Sequence, residues 1–180
     1  GTQGYFHHRK LDRLCELAQE LSLPLIMYTE GGGGRPGDTD VATQIAGLNI
    51  KSFSTWAALG GKVPRIAVNN GYCFAGNAAL FGCADFCIAT RTSWIGMAGP
   101  AMIEGGGMGK HELTAIGPID VQEKNGVVDI VAEDEAHATA LAKQLLSYFQ
   151  GAIAAWESVP QDSLRDAIPE DRRWGYPVRR

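Results

Sequence analysis

The sequence predicts an α/β fold built around a parallel sheet, and three observations carry that prediction. Short apolar runs bounded by glycine and proline alternate with stretches of helical periodicity along the chain. The runs do not alternate polar with apolar, the pattern of strands covered on both faces. Glycine is in excess: 23 of 180 residues, about 13%, against a usual share of roughly 7%.

The elements follow in order. Leu11, Leu14, Cys15, Ala18 and Leu21 recur at three- and four-residue steps among charged residues, which predicts an opening helix ended by Pro24. Residues 24–29, PLIMYT, read as a first buried strand, and residues 30–40, EGGGGRPGDTD, as a loop. A helix is expected from Val41 to Leu59, stopped by Gly60-Gly61, before a second strand at 64–69. Residues 71–83 read as a turn and a short helix, 85–90 as a third strand and 93–97 as a short fourth. A further strand is expected at 127–132 after the Asn125-Gly126 turn. Glu133, Asp134 and Glu135 then favour a helix N-terminus, and Ala138, Leu141, Ala142, Leu145 and Phe149 supply its buried face. The tail from Trp156 is polar and proline-containing and reads as an arm.

Composition closes several alternatives. The glycines have no three-residue period, so the chain is not collagen-like, and 45% hydrophobic content with a net charge of -4 is not that of a disordered chain. No apolar run approaches the ~18–20 residues needed to span a bilayer, which predicts no membrane partner. The first residues, GTQGYFHHRK, lack signal-peptide order. A pI near 5.5 without a basic cluster argues against nucleic acid. Cys15, Cys73, Cys83 and Cys87 have neither CxxC nor metal spacing, so reduced core thiols, no metal site and a cytoplasmic setting are expected.

Three glycine clusters each follow a strand: Gly31 to Gly34, Ala75-Gly76, and Gly96 through Gly109. Glycine at a strand end lets the backbone turn and lets a ligand approach the main chain. N–H groups aimed outward from such loops suit a phosphate or an oxyanion. The phosphate version lacks its motifs, since neither GxxxxGK[ST] nor GxGxxG with a later ribose acid is present. Tight turns without a ligand remain the alternative.

An ordered series of motifs resembles a known family. GTQG, HRKLDRL from His8, TEGGGGRPGD, GYCFAGNAAL, IGMAGPAMIEGGG, NGVVDIVAEDE and the RRWGYPVR tail are similar to the N-terminal half of the carboxyltransferase component of biotin-dependent acyl-CoA carboxylases. The resemblance implies a crotonase/ClpP-like spiral of ββα units, incomplete at its N-terminus. It places a partial acyl-CoA-binding domain at 1–155 and a linker towards the C-terminal half at 156–180.

The implied chemistry is carboxyl transfer from carboxybiotin to the α carbon of an acyl-CoA through a thioester enolate. By motif position, the backbone donors to the oxyanion come from Gly32 and Gly33 in the first loop and Ala75 and Gly76 in the second. Gly31, Gly34, Arg35, Asn77 and Gly99 are the implied substrate-binding residues. Superfamily hydratases place a glutamate where this chain has Ala79 and a second near Gly99, and the peptidases need a serine that Gly76-Asn77 does not offer. Arg35 either meets CoA phosphates or a substrate carboxylate, or ion-pairs with Glu30 or Asp38. Asn77 either reaches CoA or caps its own helix. The implied partners are acyl-CoA, the C-terminal carboxyltransferase half and the biotin carboxylase and biotin carboxyl carrier components, with homo-oligomerisation expected. The biotin is carried by another domain or subunit, and the 180 residues alone are expected to be inactive. A biotin-dependent acyl-CoA decarboxylase subunit and a non-catalytic CoA-binding or assembly fragment are the alternatives.

Overall fold

A computed structural model describes residues 2–35, 37–38, 50–152, 155, 157–158, 160–162 and 165. It divides into two compact units, Gly1–Gln150 and Gly151–Arg180. In the second unit the described residues include a turn in which Arg165 N–H donates to the Asp162 carbonyl at 3.1 Å. Most of the expected arm, and residues 41–49 of the expected helix at 41–59, lie outside the described residues.

In the first unit, four strands form one parallel sheet in the order β1 (Leu25–Tyr28), β2 (Arg65–Asn69), β4 (Phe86–Thr90) and β6 (Ile130–Ala132). Two shorter strands, β3 (Tyr72–Phe74) and β5 (Trp94–Gly96), pair parallel in a second sheet. The helices are α1 (Tyr5–Leu21), α2 (Ser52–Ala58), α3 (Gly76–Gly82), α4 (Pro100–Gly105), α5 (Ile119–Gln122) and α6 (Glu135–Ser147), with a 3-10 turn at Leu113–Ala115. The order β2-β3-α3 followed by β4-β5-α4 is a repeated ββα unit, as the resemblance implies.

Burial explains the apolar strands. All five residues of β2 are buried. Ile66 and Val68 face α6, packing with Ile88, Ala132, Ala138 and Ala142. Ala67 faces the other way, into a cluster with Cys73, Ala78, Phe81, Cys87, Ala89 and Ile95. A third cluster of Cys15, Trp56, Leu59, Val63 and Leu80 joins α1, α2 and α3. β1 differs from the expectation: it is an edge strand, its first three residues are half-buried and Tyr28 is exposed.

Other differences have local causes. The buried face of α1 is His8, Asp12, Cys15 and Ala18, whereas Leu14 and Leu21 are exposed. The two polar members are tolerated because Ser52 Oγ pairs with both: it lies 2.9 Å from His8 Nδ1 and donates to Asp12 Oδ1 at 2.5 Å. The turn expected before α3 contains the strand β3, and the glycine-rich 98–109 segment contains α4. On α6, Ala138 and Ala142 are buried but Phe149 projects past the helix and is exposed, its ring 5.9 Å from that of Phe86. Asp134 caps α6 by accepting the His137 N–H at 2.8 Å. All four cysteines are free, and three are buried; Cys83 is exposed, just past the end of α3. Among the described residues no helix is long and apolar enough to cross a membrane, and no cluster of His, Cys, Asp and Glu could hold a metal.

Candidate acyl-thioester site

The short strands and the first glycine loop follow the C-terminal ends of strands in the large sheet. Each leading strand of the sheet feeds one of these segments: β1 leads to Gly31–Gly34, β2 to β3, and β4 to β5. Gly31 N–H donates to the Tyr72 carbonyl at 2.8 Å and its carbonyl accepts from Phe74 N–H at 2.7 Å, which ties the glycine loop to β3. On the loop's far side, Gln3 N–H donates to the Gly33 carbonyl at 2.6 Å and Arg35 N–H to the Gln3 carbonyl at 2.9 Å. The sequence therefore brings the first two glycine clusters side by side, as the parallel topology requires.

Their closest approach is at Gly33. It has φ +84°, and a Cβ built there would lie 2.6 Å from Ala75 Cβ and 3.1 Å from Gly76 N. Only glycine fits, for both its backbone and its bulk. Ala75 itself has φ 53° and ψ -121°, a backbone state costing roughly 1–3 kcal/mol for a residue with a Cβ. Its N–H donates to the Gly96 carbonyl at 3.1 Å, so the third glycine segment holds the second in this turn.

Asn77 fastens the two loops. Its Oδ1 accepts the Gly33 N–H at 2.9 Å, and its Nδ2 donates to the Thr29 carbonyl at 3.0 Å and the Glu30 carbonyl at 3.3 Å. The side chain is buried and does not cap its own helix. A Cβ on Gly31 would lie 2.6 Å from Asn77 Nδ2, so this staple also requires glycine at 31.

These bonds sort the main-chain donors. The N–H groups of Gly31, Gly33 and Ala75 are committed within the protein. Those of Gly32, Gly34 and Gly76 have no partner among the described residues. Gly32 and Gly34 are exposed and Gly76 half-buried.

Arg35 ion-pairs with Asp38 at 3.7 Å and donates to Thr2 Oγ1 at 3.3 Å, while Asp38 Oδ2 accepts the Tyr5 N–H that opens α1, at 2.7 Å. Glu30 instead accepts from Asn70 N–H. Gly99 is the N-cap of α4, its carbonyl accepting from the Met102 and Ile103 N–H groups. Glu104, in the same segment, is paired with Lys110 at 3.1 Å.

Two neighbours had no signal in the sequence. A Cβ on Gly76 would lie 3.0 Å from Gln3 Oε1 and 3.1 Å from Phe53 Cζ, so both side chains reach the second loop. The His8 ring lies 6.1 Å from that of Phe53. Burial holds the His8 pKa below the ordinary value, His7 adds to this, and Asp12 opposes it. Burial pushes the Cys73 thiol, on the strand between the loops, up to about 12.

The comparisons with known proteins agree with this architecture. The carboxyl transferase domain family matches residues 1–180. The chain is 28% identical to the methylmalonyl-CoA carboxyltransferase 12S subunit of Propionibacterium freudenreichii subsp. shermanii, over 99% of this chain and 35% of that protein. It is 33% identical to a probable mitochondrial methylcrotonoyl-CoA carboxylase beta chain of Drosophila melanogaster, over 75% of this chain and 24% of the other. Among solved structures, a single-chain, multi-domain long-chain acyl-CoA carboxylase aligns with TM-score 0.78 and 52% identity, covering 97% of this chain and 17% of that one. The transcarboxylase 12S structure with methylmalonyl-CoA and methylmalonic acid bound aligns with TM-score 0.72 and 25% identity, over 97% and 35% respectively. The chain thus spans 35% or less of each of these relatives. With residues 1–180 matched by the family model, the chain belongs to the carboxyl transferase domain family.

Proposed function

We propose that this chain is the acyl-CoA-binding half of a biotin-dependent carboxyltransferase, which moves a carboxyl group from carboxybiotin to the α carbon of an acyl-CoA. One observation carries the reading: two glycine loops meet with the N–H groups of Gly76, Gly32 and Gly34 uncommitted among the described residues, while those of Gly31, Gly33 and Ala75 are tied down. Donors fixed in place before the reaction are what an enolate oxygen needs. Each such donor is typically worth about 3–4 kcal/mol at the transition state.

In this reading Gly76 donates from one side, with Gly32 from the other and Gly34 beside it. Gly33 and Ala75, whose own N–H groups are spent, set the spacing. Asn77 fixes the loop, and Arg35 and Gly99 are the candidate CoA contacts that the family resemblance implies. Neither loop carries an acid–base pair: Ala79 occupies the hydratase glutamate position. Carboxybiotin, when delivered by its carrier, supplies both the carboxyl group and a base at the ureido nitrogen. The chain's own part is to hold the thioester oxygen and exclude competing contacts. The remaining half of the site, the biotin-bearing components and the oligomeric setting are partners of this reading.

The test is acyl-CoA-dependent carboxyl transfer by the full-length protein with its biotin carrier. The parent transfers carboxyl, Gly76→Val abolishes transfer with folding retained, and the 180 residues alone do not transfer. A folded Gly76→Val protein with parental turnover removes the loops from the role.

A further inference from the structure

Gln3 is 4% exposed, and its Nε2 is a buried side-chain donor with no hydrogen-bond partner among the described residues. Buried donors are almost always satisfied, so one left open needs a reason. Its position supplies one. The Gln3 main chain pairs with Gly33 and Arg35 of the first loop, and its carboxamide ends beside Gly76 of the second. Gln3 thus bonds the first proposed loop through its main chain and abuts the second through its side chain. Phe53 Cζ lies 3.1 Å from the same Cβ position on Gly76, beside the Gln3 carboxamide.

A carboxamide costs more to bury here than an apolar side chain of the same length, because its donor goes unpaired. An acceptor brought by the ligand removes that cost. A half-turn of the amide exchanges Nε2 with Oε1 and sets the N–H beside Gly76, on the loop proposed to hold the thioester oxygen. Under-satisfied carbonyls are tolerated better than orphaned N–H groups, so the exchange leaves the milder defect behind.

We infer that Gln3 is a substrate-contacting residue, its carboxamide N–H donating to the thioester oxygen of bound acyl-CoA alongside Gly76. The inference rests on the proposed function and adds a side-chain donor to a site otherwise made of main chain.

The test uses the full-length enzyme with its biotin carrier and the variants Gln3→Met and Gln3→Glu. Gln3→Met keeps the length and loses the donor. Its kcat for carboxyl transfer should fall roughly 10- to 100-fold. Its melting temperature should hold or rise, and its affinity for CoA without an acyl group should not change. Gln3→Glu should fall at least as far, because a carboxylate faces the forming oxyanion. A readout without turnover is the infrared band of acyl-CoA labelled with 13C at the thioester carbonyl. Bound to the parent it shifts to lower frequency, and Gln3→Met recovers part of that shift. An active parent whose Gln3→Met form keeps kcat within twofold and leaves the band unmoved overturns the inference alone. A parent that transfers carboxyl to no acyl-CoA overturns the functional reading beneath it.

Discussion

Replacing Asn77 with alanine should loosen the first glycine loop without touching the core. The side chain makes three hydrogen bonds, to Gly33 N–H and to the carbonyls of Thr29 and Glu30. Gly33 and Thr29 are buried, so their groups lose a partner that water does not replace; Glu30 is exposed and recovers its bond from solvent. Two buried orphans at about 1–3 kcal/mol each put the cost near 3 kcal/mol. The assay is hydrogen exchange at the Gly33 amide in the full-length protein. At 1.4 kcal/mol per factor of ten, protection falls about a hundredfold. Asn77→Asp separates the two ends of the staple: the acceptor for Gly33 survives and the donor to Thr29 and Glu30 is lost. Protection should fall less than in Asn77→Ala. Unchanged exchange at Gly33 in Asn77→Ala would refute the staple.

Three further outcomes follow from the same geometry. Gly33→Ala combines a left-handed φ with a 2.6 Å approach to Ala75 Cβ, and should cost about 2–4 kcal/mol in thermal or urea unfolding; an unchanged transition contradicts the packing. Under native conditions a thiol reagent should modify Cys83 alone, since Cys15 is buried and burial pushes Cys73 and Cys87 up to about 12; rapid modification of more than one of the four contradicts it. The Arg65 guanidinium beside Asp85 holds that carboxyl below its ordinary value, at 2.7 Å between Nη2 and Oδ1. The folded pKa is depressed, so the contribution is present above the ordinary value of 3.8 and is lost as pH falls through the folded pKa. Asp85→Asn should therefore destabilise at neutral pH and lose its disadvantage in acid; a gap that widens in acid contradicts the pairing.

Much of the fold was legible because both faces of the sheet are covered. Ile66, Val68 and Ala67 form one apolar run since α6 takes the first two and the second layer the third, and such a run marks a strand in a parallel sheet. The three residues of β3 were not legible, because Tyr72 is exposed and the strand is set by pairing with β5 rather than by its own pattern. The polar face of α1 was hidden for a similar reason: His8 and Asp12 are buried only because Ser52, forty residues on, satisfies them. At the site, glycine content located the loops, but which N–H groups stay open depends on partners such as Asn77 and Gly96 that only the folded chain brings near. Gln3 carries no local signal at all, since its neighbours are Gly33 and Gly76.

The central claim is that main-chain N–H groups hold the thioester oxygen. Its most direct test is a crystal structure of the full-length protein with a bound acyl-CoA analogue that retains the carbonyl. The account predicts that oxygen about 2.7–3.1 Å from Gly76 N and from Gly32 N or Gly34 N. An oxygen held by neither loop, or by side chains alone, would contradict it.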